Sequence, residues 1–115
     1  VPSDEDWTDL EVFVGEEGFE FEEGHALKST TGWVLEANGL DVVGFNGRPG
    51  GSRSDQGGFD GYYDEFILGS DAFFWSSTAY GEGNWYRWLN HVSSDMVRQS
   101  HYSNHGLSIR CLKDE

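Results

Sequence analysis

One cysteine, one methionine, two prolines and seven basic residues are what this 115-residue chain has little of. Each scarcity closes off a class of protein. With Cys111 alone there is no internal disulfide and no structural zinc held by paired thiolates. A lone cysteine near the end of an apolar segment reads as a small buried hydrophobe, and Arg110 beside it in a strand would point to the opposite face. Seven Lys and Arg against twenty-one Asp and Glu leave a formal net charge of −14. Nothing in such a chain makes the basic stripe that neutralising phosphates requires, so a nucleic-acid partner is not expected. No apolar run approaches the roughly twenty residues of a membrane helix, so direct membrane insertion is not expected either.

The acids are unevenly spread. Residues 1–23 hold Asp4, Glu5, Asp6, Asp9, Glu11, Glu16, Glu17, Glu20, Glu22 and Glu23 and no Lys or Arg. A calcium ion could bind there, although no calcium-loop motif is present and an acidic run is more often a solvated face. Aromatics make up 16% of the chain, with five Trp, eight Phe and five Tyr, so a single compact core must lean on them. Sixteen glycines imply many tight turns and little long helix.

Read in order, Pro2-Ser3-Asp4-Glu5-Asp6-Trp7 is a helix start: Ser3 caps, Asp6 answers it, and the acids suit the positive helix end. Trp7, Leu10 and Val14 share a face at helical spacing with Phe13 beside them, and Gly15 is the expected stop. Phe19 and Phe21 alternate with Glu20 and Glu22, which reads as a short acidic strand or an ordered loop. A helical turn is expected around Ala26-Leu27-Lys28. Residues 44–63 then offer turn after turn. Strands return at 73–78, at 85–90 and finally at 107–112, where Leu107, Ile109 and Cys111 fall together. In 85–90, alternation places Trp85, Arg87 and Leu89 on one face and Tyr86, Trp88 and Asn90 on the other.

Between the last two strands, residues 97–105 read Val-Arg-Gln-Ser-His-Tyr-Ser-Asn-His, with almost no apolar content and no regular period. Such a stretch is a surface whose side chains donate, accept and stack as paratopes do. An outward Tyr86 and Trp88, with Tyr80 before and Tyr102 after, would make an aromatic floor, and Asn90, His91, Gln99 and His101 would supply directional hydrogen bonds at its rim. Trp75 and Trp85 are expected inward, and Arg53, Arg87, Arg98 and Arg110 are expected in scaffold ion pairs or cation–π stacks. Catalysis is disfavoured. His91, His101 and His105 do not make a regular metal set, and Gly50-Gly51 lacks the Lys and helix of a phosphate loop.

Several motifs together resemble a known family. They are Val1-Pro2-Ser3-Asp4-Glu5-Asp6-Trp7-Thr8-Asp9-Leu10, Leu27-Lys28-Ser29 with Gly32-Trp33, Gly44-Phe45, Pro49-Gly50-Gly51-Ser52-Arg53, Gly58-Phe59, Phe74-Trp75-Ser76-Ser77-Thr78, Trp85-Tyr86-Arg87 and Gly106-Leu107-Ser108-Ile109-Arg110-Cys111. In this order they resemble the Fibrobacter succinogenes major paralogous domain, which is similar to the C-type-lectin-fold group containing formylglycine-generating-enzyme-like domains and the variable proteins of diversity-generating retroelements. The resemblance implies a single α+β domain over residues 1–115 with a C-type-lectin-like fold: a twisted antiparallel sheet, one or two helices and long ordered loops.

The family pattern also carries a segment before Val-Pro-Ser with a Trp and a further cysteine that could pair with the one matching Cys111. An N-terminal strand of the parent protein is therefore expected to be missing here, and that segment is a candidate partner. The resemblance further implies a secreted or cell-surface bacterial protein that binds rather than reacts. Its ligand would be a glycan or a protein on another surface, met through residues 80–105, which could be a diversified variable region. The candidate ligand-binding residues are Tyr80, Tyr86, Trp88, Asn90, His91, Ser93, Asp95, Gln99, His101, Tyr102 and His105. The alternatives are a structural or assembly domain of a larger surface protein and, behind it, a formylglycine-type or metal-dependent enzyme. Formylglycine-type chemistry uses a cysteine pair, which this chain lacks.

Overall fold

The structure is a computed structural model and describes residues 1–53, 59–60, 69–102 and 106–112. Helix α1 runs from Asp4 to Val14 and begins as its sequence dictates. Ser3 Oγ accepts from the Asp6 amide at 3.1 Å, and the Asp6 carboxylate accepts from the Ser3 amide at 2.9 Å, so two of the orphan donors at the helix start satisfy each other's residues. Trp7 and Val14 are buried and Leu10 is half-buried, but Phe13 is exposed, one position round from the buried stripe.

Gly15 does not stop the helix. Its backbone is still right-handed helical, and the chain continues into one π-helical turn, Gly15–Phe19. The break comes at Gly18, whose φ of 104° is open to glycine and strained for other residues. The acidic segment is therefore not a strand: the half-buried Phe19 ends the π-helical turn, and only residues 20–22, with Phe21 exposed, are turn and loop. A short helix α2, Glu23–Leu27, follows where a helical turn was expected. Gly24 lies so close to the 94–95 backbone that the Cβ of any other residue would run into the Asp95 carbonyl. A single 3₁₀ turn, Val34–Glu36, comes next.

Strands β1 (Ser52–Arg53) and β2 (Phe59–Asp60) make a two-residue antiparallel pair. The main sheet is an antiparallel meander of β3 (Asp71–Tyr80), β4 (Gly83–Asn90) and β5 (Val97–Tyr102) in the order β3-β4-β5. Polar residues 97–102 thus form a strand, although they lack an apolar period. An edge strand needs only main-chain bonds to its neighbour, and its own side chains can remain in water.

The outer side of β3 is also covered. Trp75 donates its amide to the Ser108 carbonyl at 3.1 Å, Ser108 donates to Phe73 at 3.0 Å, Ser77 to Pro2 at 2.8 Å and Gly51 to Asp71 at 2.8 Å. Residues 107–112 were expected to be a regular strand with Leu107, Ile109 and Cys111 on a buried face. Among them only Ser108 bridges the sheet, and Ile109 and Cys111 are exposed. The packed side of this segment is the alternate one, where the Arg110 guanidinium lies 4.2 Å from the Phe45 ring centroid. Cys111 is a free surface thiol in this structure.

The core lies between α1, α2 and one face of the sheet. It comprises Trp7, Val14, Ala26, Leu27, Trp33, Ala72, Phe74, Leu89 and Met96, with Leu10, Phe19 and Phe45 packed against it. Trp7, Phe45 and Phe74 meet in a mutual cluster with ring centroids 5.5 to 5.8 Å apart. On the same face, Arg87 is fully buried, at 0% exposure. Its Nε donates to Glu11 Oε1 and its Nη1 to Asp4 Oδ1, both at 2.6 Å, while Nη2 reaches the Asp4 carbonyl and Thr8 Oγ1. Arg98 joins the same Asp4 carboxylate at 2.7 Å and stacks on Trp85 at 3.5 Å. Two of the excess acids are therefore structural. The expected scaffold roles of Arg87, Arg98 and Arg110 are met, and the Arg53 side chain lies outside the described residues.

The bonds from Arg98 and Arg87 hold the Asp4 carboxyl below its usual value, overcoming the opposing effect of burial. A carboxylate depressed in the folded state contributes stability that is complete above its ordinary value of 3.8 and lost as pH falls through the lowered one. Burial pushes Glu11 the other way, so ionising it in the folded state offsets part of this, although the permanently charged Arg87 sits 2.6 Å from it. The urea midpoint is therefore expected to drop below about pH 4, and Asp4→Asn should flatten that drop. An Asp4→Asn protein whose acid limb is as steep as the parent's would remove Asp4 as its origin.

Candidate functional site

Cross-strand register decides which candidates can act together. Phe73 faces Trp88, Trp75 faces Tyr86, Tyr86 faces Gln99 and Trp88 faces Val97. Directly opposed residues share a sheet face, so Phe73, Trp75, Tyr86, Trp88 and Gln99 lie on the face opposite the α1 core. The alternation read from residues 85–90 is correct. The inward assignment of Trp75 is not, because its partner across the strands is Tyr86.

These rings form a connected row. Phe73 stacks on Trp88 with centroids 5.6 Å apart and planes 13° from parallel, and it meets Tyr86 edge-on at 5.8 Å. Trp75 meets Tyr86 at 6.2 Å. The polar ends of the rings are tied down: Trp88 Nε1 donates to Asp71 Oδ1 at 2.8 Å, and the Tyr86 hydroxyl donates to Gln99 Oε1 at 3.0 Å. Tyr86 is only 7% exposed, and burial raises its phenol above the ordinary range. It anchors the row from below, while Phe73, Trp75 and Trp88 are half-buried and show part of their rings. Gln99 and His101 are exposed beside them, with the His101 ring 6.3 Å from Tyr86. Phe73 and Trp75 were not among the sequence candidates, yet their parity with Tyr86 and Trp88 follows from pairing the two strands as a hairpin.

Other candidates lie elsewhere. Tyr80 is exposed but packs on Trp85 at 4.4 Å, on the α1 side of the sheet near the β3–β4 turn. Asn90, His91, Ser93 and Asp95 cluster at the opposite end, in and around the β4–β5 connection. Asn90 Oδ1 accepts from the Val92 amide and Ser93 Oγ from the Asp95 amide, so both side chains hold the turn. The His91 amide donates to the Ser70 carbonyl at 2.9 Å, and its Nδ1 lies 3.3 Å from the same oxygen. The Tyr102 side chain and His105 lie outside the described residues. The nine candidates whose side chains are described are thus divided among a sheet face, its reverse and one sheet end. Among the described residues, no three His, Cys, Asp or Glu side chains are placed to hold a metal ion.

Clefts also open among the described residues. One of about 400 Å³ is lined by Glu11, Val12, Gly15, Glu16, Glu20 and Glu23, on the acidic side of α1. Another, about 290 Å³, lies under the β4–β5 connection and is lined by His25, Lys28, Glu36, Ala37, Asn38, His91, Val92, Ser93 and Ser94.

A capped amphipathic helix on one side of a three-stranded antiparallel meander, with loops closing its outer edge, defines a small α+β domain. The chain matches the model of the Fibrobacter succinogenes major domain over residues 1–113, and it belongs to that family. No curated protein and no solved structure matches it significantly. Among the described residues, no helix is long and apolar enough to cross a membrane.

Proposed function

We propose that this is a non-catalytic recognition domain of a secreted or surface-exposed bacterial protein, built on a C-type-lectin-like fold. It binds a glycan or protein on another surface through the sheet face that carries Phe73, Trp75 and Trp88. The observation that carries the reading is the aromatic row on the face away from α1, anchored by Tyr86 and bordered by the exposed side chains of Gln99 and His101. Half-exposed indoles on a rigid strand offer stacking area at little entropic cost, and neighbouring polar side chains set orientation. The 97–105 segment has the composition of a diversified surface, and its first six residues stand on the sheet edge, where substitutions leave the main-chain ladder intact. The single cysteine gives no footing for formylglycine-type chemistry.

The test is a glycan array and a surface-protein pull-down, each with calcium and with chelator. With the bound partner in hand, Trp88→Ala is expected to weaken binding about thirtyfold, and Gln99→Ala with His101→Ala to weaken it severalfold, with a small loss of thermal stability from the Tyr86 hydroxyl that Gln99→Ala leaves unpaired. Binding that survives all three changes overturns this face as the site.

An assembly role is the second reading. An apolar groove of about 190 Å³ runs along Pro2, Trp7, Leu10, Phe45, Cys111 and Leu112, with Leu112 and Val1 exposed. Silence in both binding assays, together with capture of a partner lost in Leu112→Asp, would favour this reading over recognition by the sheet face.

A further inference from the structure

Among the described residues, Lys28 carries a buried charge with no counter-ion. The residue is only 3% exposed. Its Nζ donates to the Ser93 carbonyl at 2.8 Å and lies 5.1 Å from the Trp33 ring centroid. Among the described residues, ion pairs join only Arg87 and Arg98 to Asp4 and Glu11, so no carboxylate meets this ammonium. An ammonium has three donors and a full charge, and one carbonyl and a ring face answer only part of both. Leaving such a group buried without an anion is costly, which makes the site favourable for an anion that can reach it. Burial accordingly lowers its affinity for the proton.

A route for that anion exists. Lys28 and Ser93 both line the 290 Å³ cleft under the β4–β5 connection, whose other walls include His25, His91, Asn38 and Ser94. These side chains add hydrogen-bonding groups to the walls of the cleft that Lys28 lines. The walls are fixed by the protein itself: the His25 amide donates to the Ser94 carbonyl of the facing wall at 3.0 Å, while His91 is held on Ser70 and Asn38 Oδ1 accepts from the Trp33 amide at 2.9 Å, both from outside the cleft. The cleft is therefore held open by a frame that does not depend on a ligand. Its volume is near the lower end for small-molecule sites.

We propose that this cleft is a binding site for a small organic monocarboxylate, whose oxygens meet the Lys28 ammonium. A single negative charge fits better than a dianion, because the cleft holds one buried cation, Glu36 stands on its rim and the whole chain carries −14. The site is separate from the aromatic sheet face and does not depend on the function proposed for that face. It gives His91 and Ser93 a common role that the sheet face does not.

The test is a titration of the isotope-labelled protein with acetate, glucuronate, glucose and glucose 6-phosphate, following the amide signals of residues 25–28 and 91–94. Saturable shifts with both carboxylates and none with glucose are expected. Lys28→Met should weaken glucuronate binding at least tenfold. Since that change also removes the Ser93 bond, Ser94→Asp serves as the second variant. It adds a repelling charge at an exposed rim position and should weaken binding severalfold with an unchanged unfolding midpoint. Absence of saturable shifts with either carboxylate at tens of millimolar overturns the proposal. So does equal binding of glucose, tighter binding of the phosphate, or full glucuronate affinity in both variants. Trp88→Ala should leave glucuronate binding unchanged, which keeps this outcome apart from that of the sheet face.

Discussion

Arg87→Ala is expected to cost about 3–5 kcal/mol, a large part of the stability of a domain this size. The guanidinium is fully buried and its four hydrogen bonds join β4 to Asp4, Thr8 and Glu11 on α1. Removing it leaves the half-buried Glu11 carboxylate without its cation, and that carboxyl already resists ionisation because of its burial. Asp4 loses less, because Arg98 still reaches it at 2.7 Å from a more exposed position. Arg87→Lys should recover part of the loss, since it restores charge but cannot fork to two carboxylates. Urea denaturation at neutral pH measures both. An alanine variant within 1 kcal/mol of the parent would mean that the buried pair contributes no more than a surface one.

Trp7→Ala should be comparably damaging, at about 3–5 kcal/mol, through a different cause. Trp7 is the largest fully buried side chain among the described residues and touches both Phe45 and Phe74. Its Nε1 also donates to the Trp75 carbonyl at 3.3 Å, a long bond, so most of the loss comes from the cavity. Trp7→Phe keeps much of the packing and should cost markedly less. Trp88→Ala, on the other face and half-exposed, should cost less than Trp7→Ala as well. Calorimetric unfolding of the three variants would rank them. If Trp88→Ala proved as destabilising as Trp7→Ala, the aromatic row would be a second core, and its role as a binding surface would fall.

Local features were legible in the sequence because they depend on neighbours a few residues away. The Ser3–Asp6 capping box, the Trp7/Val14 stripe, the turn at α2 and the alternation along β4 all appear where the residues place them. The misreadings share one cause. Residue type alone misplaces Gly15, Phe13, Trp75 and Cys111, because type does not say what packs opposite. Gly15 can remain helical when the chain is held into a further turn, and Trp75 faces away from α1 because strand parity puts Phe74 on that side. The 97–102 strand was invisible because its bonds are main-chain bonds and its side chains are polar.

The candidate site was legible only in part. Tyr86, Trp88, Gln99 and His101 do share one region, but Tyr80 stands on the reverse of the sheet and His91 with Ser93 at its end. Strand register separates them, and register is set by long-range pairing. Lys28 gave no signal at all, since a lysine at the end of a helical turn normally reaches water. Composition, charge, cap and strand parity by themselves determined that this chain is an acidic, aromatic-cored α+β domain. Which face of the sheet became the core, and that one lysine was folded inward beside a cleft, were decided by the tertiary structure. Burial is a property of what the rest of the chain brings to a residue, and no residue carries that information alone.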